Sequence, residues 1–213
     1  MRIIDLTHSI TEDMPVYPGT AQPSLKQANS LQKDGYQEIL LSLTSHTGTH
    51  IDAPSHLYEG KHSLDEIPLH AFFGTATIVD CLHLGQDAAI GMDVIRQNQK
   101  EVDAAEFVLF RTDWDQYWGT ADYYCGYPII SRAVLQYLAD TGKKGVGVDT
   151  LSIDAIQALN LPNHHFLLQH DILPIENLTH LSQVGPGLFH FCALPLKFAN
   201  ADGAPVRAVA IFD

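Results

Sequence analysis

SHTGTHIDAPSH, residues 45–56, places three histidines and an aspartate within twelve positions, with Gly48 and Pro54 among them. A hydrophobic core gains little from imidazoles, so the segment is either a solvated polar loop or a place where something binds. His46 and His50 are four residues apart, which on an extended strand is roughly 13 Å, at about 3.3 Å per residue. Two nitrogen ligands of one ion must each lie about 2.0–2.1 Å from it. A flat strand cannot achieve this, so binding requires the chain to curl between the two histidines. Gly48 is the residue able to take the unusual backbone angle, and Pro54 stiffens the exit that carries His56. The segment therefore reads as a strand ending in a tight, ligand-presenting loop.

The 213 residues around it suit one domain, and a hydrophobic content of 46% with 17% charged residues supports a sizeable core. The formal net charge of -13, from 25 acidic and 12 basic residues, repels phosphate. With no local Lys/Arg cluster, nucleic acid and anionic membrane surfaces are excluded as expected partners. The opening MRIIDLTHSITEDMPVYPG has no apolar run of signal-peptide length, and no stretch approaches 18 apolar residues. A cytoplasmic protein is expected. Cys81, Cys125 and Cys192 are odd in number and widely spaced, which reads as thiols and not as a disulfide framework.

Strand-like runs of β-branched and aromatic residues occur at 38–46, 75–84, 106–114, 145–150, 188–198 and 206–212. Helical periodicity appears at 91–99 and at 131–142, the latter with Ser131 as N-cap and Gly142 as stop. Residues 152–159 and 177–184 read as short helices. The expected fold class is α/β, with strands outnumbering helices and no repeat or linker dividing the chain. Arg111 and Asp113 are expected to form an internal ion pair, and Asp149 and Asp154 to cap turns or helix starts.

Extended to HTGTHIDAPSH (46–56), the opening pattern resembles the HxGTHxDxPxH signature of the cyclase-like metal hydrolases, which include bacterial kynurenine formamidases and isatin hydrolases. The likeness continues in IIDLTHSITEDMPVYPGT (3–20), VLFRTDW (108–114), GVGVDTLSID (145–154) and HHFLLQHDILPIENL (164–178), in the family's order. It implies a swivelling β/β/α-type fold, one domain over 1–213 with a barrel-like mixed sheet.

Carried residue by residue, the resemblance implies His46, His50 and Asp52 as ligands of a first metal, with Asp52 bridging to a second. Glu176 would touch both ions and His164 would bind the second. His56 would be the catalytic proton donor and acceptor. Aligning LL at 167–168 and ENL at 176–178 with the family favours His164 over the adjacent His165 as the distal ligand. Tyr17 stands at a substrate-pocket position where the formamidases usually carry Trp. Homodimers or homotetramers are common in the family.

Three imidazoles and two carboxylates without a thiolate suit Zn²⁺ or Mn²⁺, expected at two per subunit. The implied chemistry is hydrolysis of a small amide, either an aryl formamide such as N-formylkynurenine or a cyclic amide, by metal-activated hydroxide. A lyase or dehydratase using the same ligands, and a non-catalytic binding protein of the same fold, are the alternatives. His8 and the other scattered histidines lack a ligand pattern and read as structural. No serine lies in a G-x-S-x-G context.

Overall fold

In a computed structural model, residues 1–212 are described, so the expected span 1–213 is covered except for Asp213, which lies outside the described residues. Among them the strands are β1 (Arg2–Asp5), β2 (Ser24–Asn29), β3 (Glu38–Ser42), β4 (His50–Asp52), β5 (Phe73–Asp80) and β6 (Ala89–Ile90). They continue with β7 (Phe107–Arg111), β8 (Ile129–Ile130), β9 (Gly145–Val148), β10 (Leu173–Glu176), β11 (Leu188–Pro195) and β12 (Gly203–Phe212). The helices are α1 (Leu31–Asp34), α2 (Met92–Gln97), α3 (Gln99–Ala104), α4 (Arg132–Asp140) and α5 (Pro162–Gln169).

The runs FVLF and GVGV are apolar throughout because β7 and β9 are covered on both faces. Phe107 and Leu109 point into one core with Ile51, Ile175, Phe191 and Ala204. Val108 and Phe110 point the other way, against Leu135 and Leu138 of α4 and Phe166 of α5. Each such fully buried side chain contributes about 1.5–3 kcal/mol. Gly147 is needed for this packing, since a Cβ there would come within 2.5 Å of Leu109 and 2.7 Å of Leu178.

β5, β7, β9 and β10 run parallel. Parallel neighbours require crossovers, which α2 with α3, α4 and α5 supply in turn. The remaining pairings of the sheet are antiparallel, in the order β12-β11-β5-β7-β9-β10-β4. The first residues of β12 then pair back onto β4, closing these strands into a mixed barrel, and β1 lies along the far end of β12. This is the α/β single-domain fold with a barrel-like sheet that the resemblance implied.

The closure positions the site. β4 is only three residues long and is held between β10 and β12. Register sets Glu176 opposite His50 and Gly203 opposite Asp52. Two segments far apart in sequence thus flank the histidine-rich loop.

Three expectations are corrected. Residues 152–159 form no helix; Ser152 Oγ and the Ile153 N–H both bond Glu176 Oε1, at 3.0 and 2.8 Å, which holds the chain irregular over the barrel end. Residues 177–184 contain only a 3-10 turn at Leu181–Gln183, because Asn177 and His180 take positive φ. The strand expected over 38–46 stops at Ser42 and pairs only with β2, as a hairpin outside the barrel. The Arg111–Asp113 ion pair is present, at 2.7 Å. Asp149 caps the turn after β7, accepting the N–H groups of Thr112 and Asp113.

Candidate metal centre

Gly48 does what the spacing required, with φ at +65°. The loop it turns is pinned by neighbours: Asn177 donates to the Gly48 carbonyl at 3.0 Å, and Thr49 Oγ1 donates to the Asn177 carbonyl at 2.6 Å. Pro54 opens a 3-10 turn over Pro54–His56, which carries His56 back over the barrel end.

Two groups of donor atoms result. In the first, Asp52 Oδ1 lies 2.8 Å from His46 Nδ1 and 3.4 Å from His50 Nε2. In the second, His164 Nε2 lies 3.3 Å from Asp52 Oδ2 and 3.1 Å from Glu176 Oε1. Each set of three is close enough to hold one cation. Asp52 belongs to both, one oxygen facing each. Glu176 also spans them, since its Oε2 lies 3.4 Å from His50 Nε2.

The donors fit a metal pair on two counts. Asp52 is fully buried, yet its Oδ2 has no hydrogen-bond partner; an ionised oxygen in that state is costly unless a cation meets it. The three candidate ligand histidines also have their opposite nitrogens engaged. His50 Nδ1 lies 2.8 Å from the Gly48 carbonyl, His164 Nδ1 2.7 Å from Asp154 Oδ2, and His46 Nε2 3.1 Å from Asp202 Oδ2. Such outer acceptors fix the tautomer and aim the remaining lone pair inward.

Charge tells the same story. Burial works against an imidazolium at His46, but Asp52 and Asp202 overcome it and raise its pKa to about 10. His164 behaves likewise, burial being outweighed by Glu176, Asp154 and Asp52. Burial alone would raise the Glu176 pKa, yet His164 and His50 hold it down at about 2. The carboxylates thus form a buried anionic well that favours positive charge on the groups facing it.

The site opens on a cavity of about 360 Å³ whose walls include Pro15, Val16, Tyr17, Leu151, Leu159 and His56. Tyr17 is therefore on the pocket wall, with its hydroxyl 3.5 Å from the Ile156 carbonyl. His56 is partly exposed at the cavity edge, its ring centroid 4.1 Å from that of His46. His165 turns away from the cluster and its Nδ1 meets the Tyr58 hydroxyl at 2.7 Å.

The structure places His46, His50, Asp52, His56, His164, Glu176 and Tyr17 at one end of the barrel. Sequence reasoning did not place Asp202 or Ser152 at the site, and saw Asp154 only as a cap. Asp154 does cap α5, accepting the N–H groups of Asn163 and His164 at 2.9 and 3.1 Å, while also holding the His164 ring. Asp202 lies at a bend immediately before β12, and the β4–β12 pairing carries it to His46.

The sequence profile of the putative cyclase family matches residues 4–155. A kynurenine formamidase of Salinibacter ruber is 35% identical over 98% of this chain and 97% of its own length. Isatin hydrolase A from Labrenzia aggregata, solved bound to benzyl benzoate, superposes with a TM-score of 0.88 at 29% identity, covering 98% of this chain and 93% of that one. A solved structure described as a potential metal-dependent hydrolase with cyclase activity is 31% identical at a TM-score of 0.79, covering 98% and 96%. The chain belongs to the putative cyclase family. No helix among the described residues is long and apolar enough to cross a membrane.

Proposed function

We propose that this chain is a metal-dependent amidohydrolase that cleaves the C–N bond of a small amide, either an aryl formamide such as N-formylkynurenine or a cyclic amide such as isatin. The observation that carries it is Asp52, a buried carboxylate shared between two groups of imidazole and carboxylate donors, with one oxygen left without a hydrogen bond. Kinship with a kynurenine formamidase and an isatin hydrolase supports the reaction class.

His46, His50 and Asp52 would hold one ion, and Asp52, His164 and Glu176 the other, with Zn²⁺ or Mn²⁺ suited to a donor set lacking thiolate. When bound, such ions polarise the scissile carbonyl and bring the pKa of water from about 15.7 to about 7. The chain's own residues do the rest. The apolar wall with Tyr17 and Leu151 takes the aryl or ring portion and excludes water from it. His56, at the cavity edge, accepts the proton released as water adds to the carbonyl carbon. It returns that proton to the departing nitrogen, a contribution of roughly 10²–10⁴-fold. Burial lowers the pKa of His56, with the Asp52 charge opposing and His46 adding to the effect, which suits a ring that must first be unprotonated.

Homodimers or homotetramers fit the β2–β3 hairpin, which presents Ile39, Leu40 and Leu41 to solvent. A cytoplasmic setting fits the three free cysteines.

The test is elemental analysis of the untagged protein beside Asp52→Ala, followed by product mass on an amide and lactam panel. About two Zn or Mn per chain, falling sharply in the variant, is the expected result, with lactams giving one product heavier by one water and acyclic amides giving an amine and an acid whose summed mass exceeds the substrate's by one water. Metal without turnover across the panel would leave a binding protein, and products lighter by one water a dehydratase.

A further inference from the structure

We propose that Asp202 is a positioning residue for catalysis: one carboxylate oxygen holds the His56 ring while engaging the opposite nitrogen of His46. This rests on the reading of His56 as the proton carrier. Asp202 Oδ2 lies 3.1 Å from His46 Nε2 and 3.5 Å from His56 Nδ1. Among the described residues it is the one carboxylate within ion-pair distance of a His56 ring nitrogen. The two rings it faces pack against each other, centroids 4.1 Å apart at a 44° tilt.

The acceptor is itself fixed. The Asp202 carbonyl accepts the Ala53 N–H at 2.8 Å, and Gly203 pairs with Asp52 in the ladder. On the other side the Ala201 carbonyl accepts the Leu64 N–H at 2.8 Å. Asp202 is therefore clamped to the strand that presents His50 and Asp52, and its side chain faces the His46 and His56 rings. Gly203 completes the arrangement, because a Cβ there would come within 2.5 Å of the His46 ring.

The consequence is a defined tautomer. A carboxylate facing Nδ1 favours Nδ1–H on His56, which leaves Nε2 as the unprotonated nitrogen for the cavity. Without Asp202 the ring would populate both tautomers and more than one rotamer.

The test is a double-substitution cycle of Asp202→Ala and His56→Ala, with Asp202→Asn as a near-isosteric control and metal content measured on every variant. The expected result is a kcat loss of about 10–100-fold in D202A that persists at saturating metal, less in D202N, and no further loss when D202A is added to H56A; metal affinity falls as well, since His46 loses its outer acceptor. Histidine ¹⁵N correlation spectra of the zinc-loaded protein should show Nδ1–H at His56, lost in D202A. Wild-type kcat in D202A, the same loss with and without His56, or activity restored to the wild-type level by saturating metal would each overturn the inference. The last outcome would mean that Asp202 acts only through His46 and the metal it holds. An H56A variant as active as wild type would instead overturn the reading of His56 on which the inference depends.

Discussion

Asp154 Oδ2 lies 2.7 Å from His164 Nδ1, and the same carboxylate accepts the backbone N–H groups of Asn163 and His164. One side chain thus starts α5 and aims the histidine that α5 carries into the site. Asp154→Ala should therefore act twice. Loss of the outer acceptor should weaken metal binding by roughly 10–100-fold, and loss of the cap should cost the metal-free protein about 1 kcal/mol. Metal titration and denaturant unfolding read the two effects separately; an unchanged metal affinity would show that α5 aims His164 without help.

The neighbouring pair His164 and His165 gives a sharper contrast. His164 Nε2 faces Asp52 and Glu176, while His165 bonds Tyr58 and ties α5 to the turn that carries His56. His164→Ala should lower metal content per chain and abolish turnover. His165→Ala should keep its metal and lose about 0.5–1.5 kcal/mol of stability from the broken hydrogen bond. Elemental analysis of the two variants decides the matter, and metal loss in H165A would reverse the ligand assignment.

A third variant tests the closure of the barrel. Gly203 faces Asp52 across the ladder, and an added Cβ would come within 2.5 to 2.9 Å of three atoms of the His46 ring. The backbone here is anchored by the β4–β12 pairing, so the ring must give way. Gly203→Ala should displace His46 at an overpacking cost of about 1–3 kcal/mol, with metal content reduced while the overall fold, read by circular dichroism, persists. Full metal content and full activity would mean the loop at 45–49 can shift without consequence.

What could be read directly in the sequence follows from how local each constraint is. The ligand loop was legible because its requirement, a curl between His46 and His50, is met by Gly48 within the same few residues. The central strands were legible because burial on both faces leaves continuous apolar runs such as FVLF. The segment at 152–159 was misread as helical because its apolar spacing serves a different end: Leu151 and Ile153 are buried while Ser152 and the Ile153 N–H serve Glu176. The strand expected over 38–46 holds only as far as Ser42, and its apolar residues face solvent and not a core. Asp202 reaches the site only through strand pairing between segments far apart in the chain, and an Asp-Gly pair by itself signals no more than a turn.

Acid stability offers a test away from the cavity. His8 stacks on Trp118 with ring centroids 3.7 Å apart and planes 5° from parallel, and its buried Nε2 has no partner. Burial lowers its pKa from 6.5 to about 4; Asp115 opposes this and His180 reinforces it. The sign follows from which state binds the proton. Between those two values the unfolded chain binds it more readily, so unfolding is favoured as pH falls. The stabilisation is fully present above pH 6.5 and is lost on descending through about pH 4. Its ceiling is about 1.4 kcal/mol for each pH unit of that window, reduced by the partial exposure of the ring. His8→Phe keeps a flat ring on Trp118 and removes the titration. Urea unfolding at intervals across this window should therefore show a shallower decline in the variant than in the wild type, and parallel curves would mean that His8 takes up its proton as readily in the folded chain as in the unfolded one.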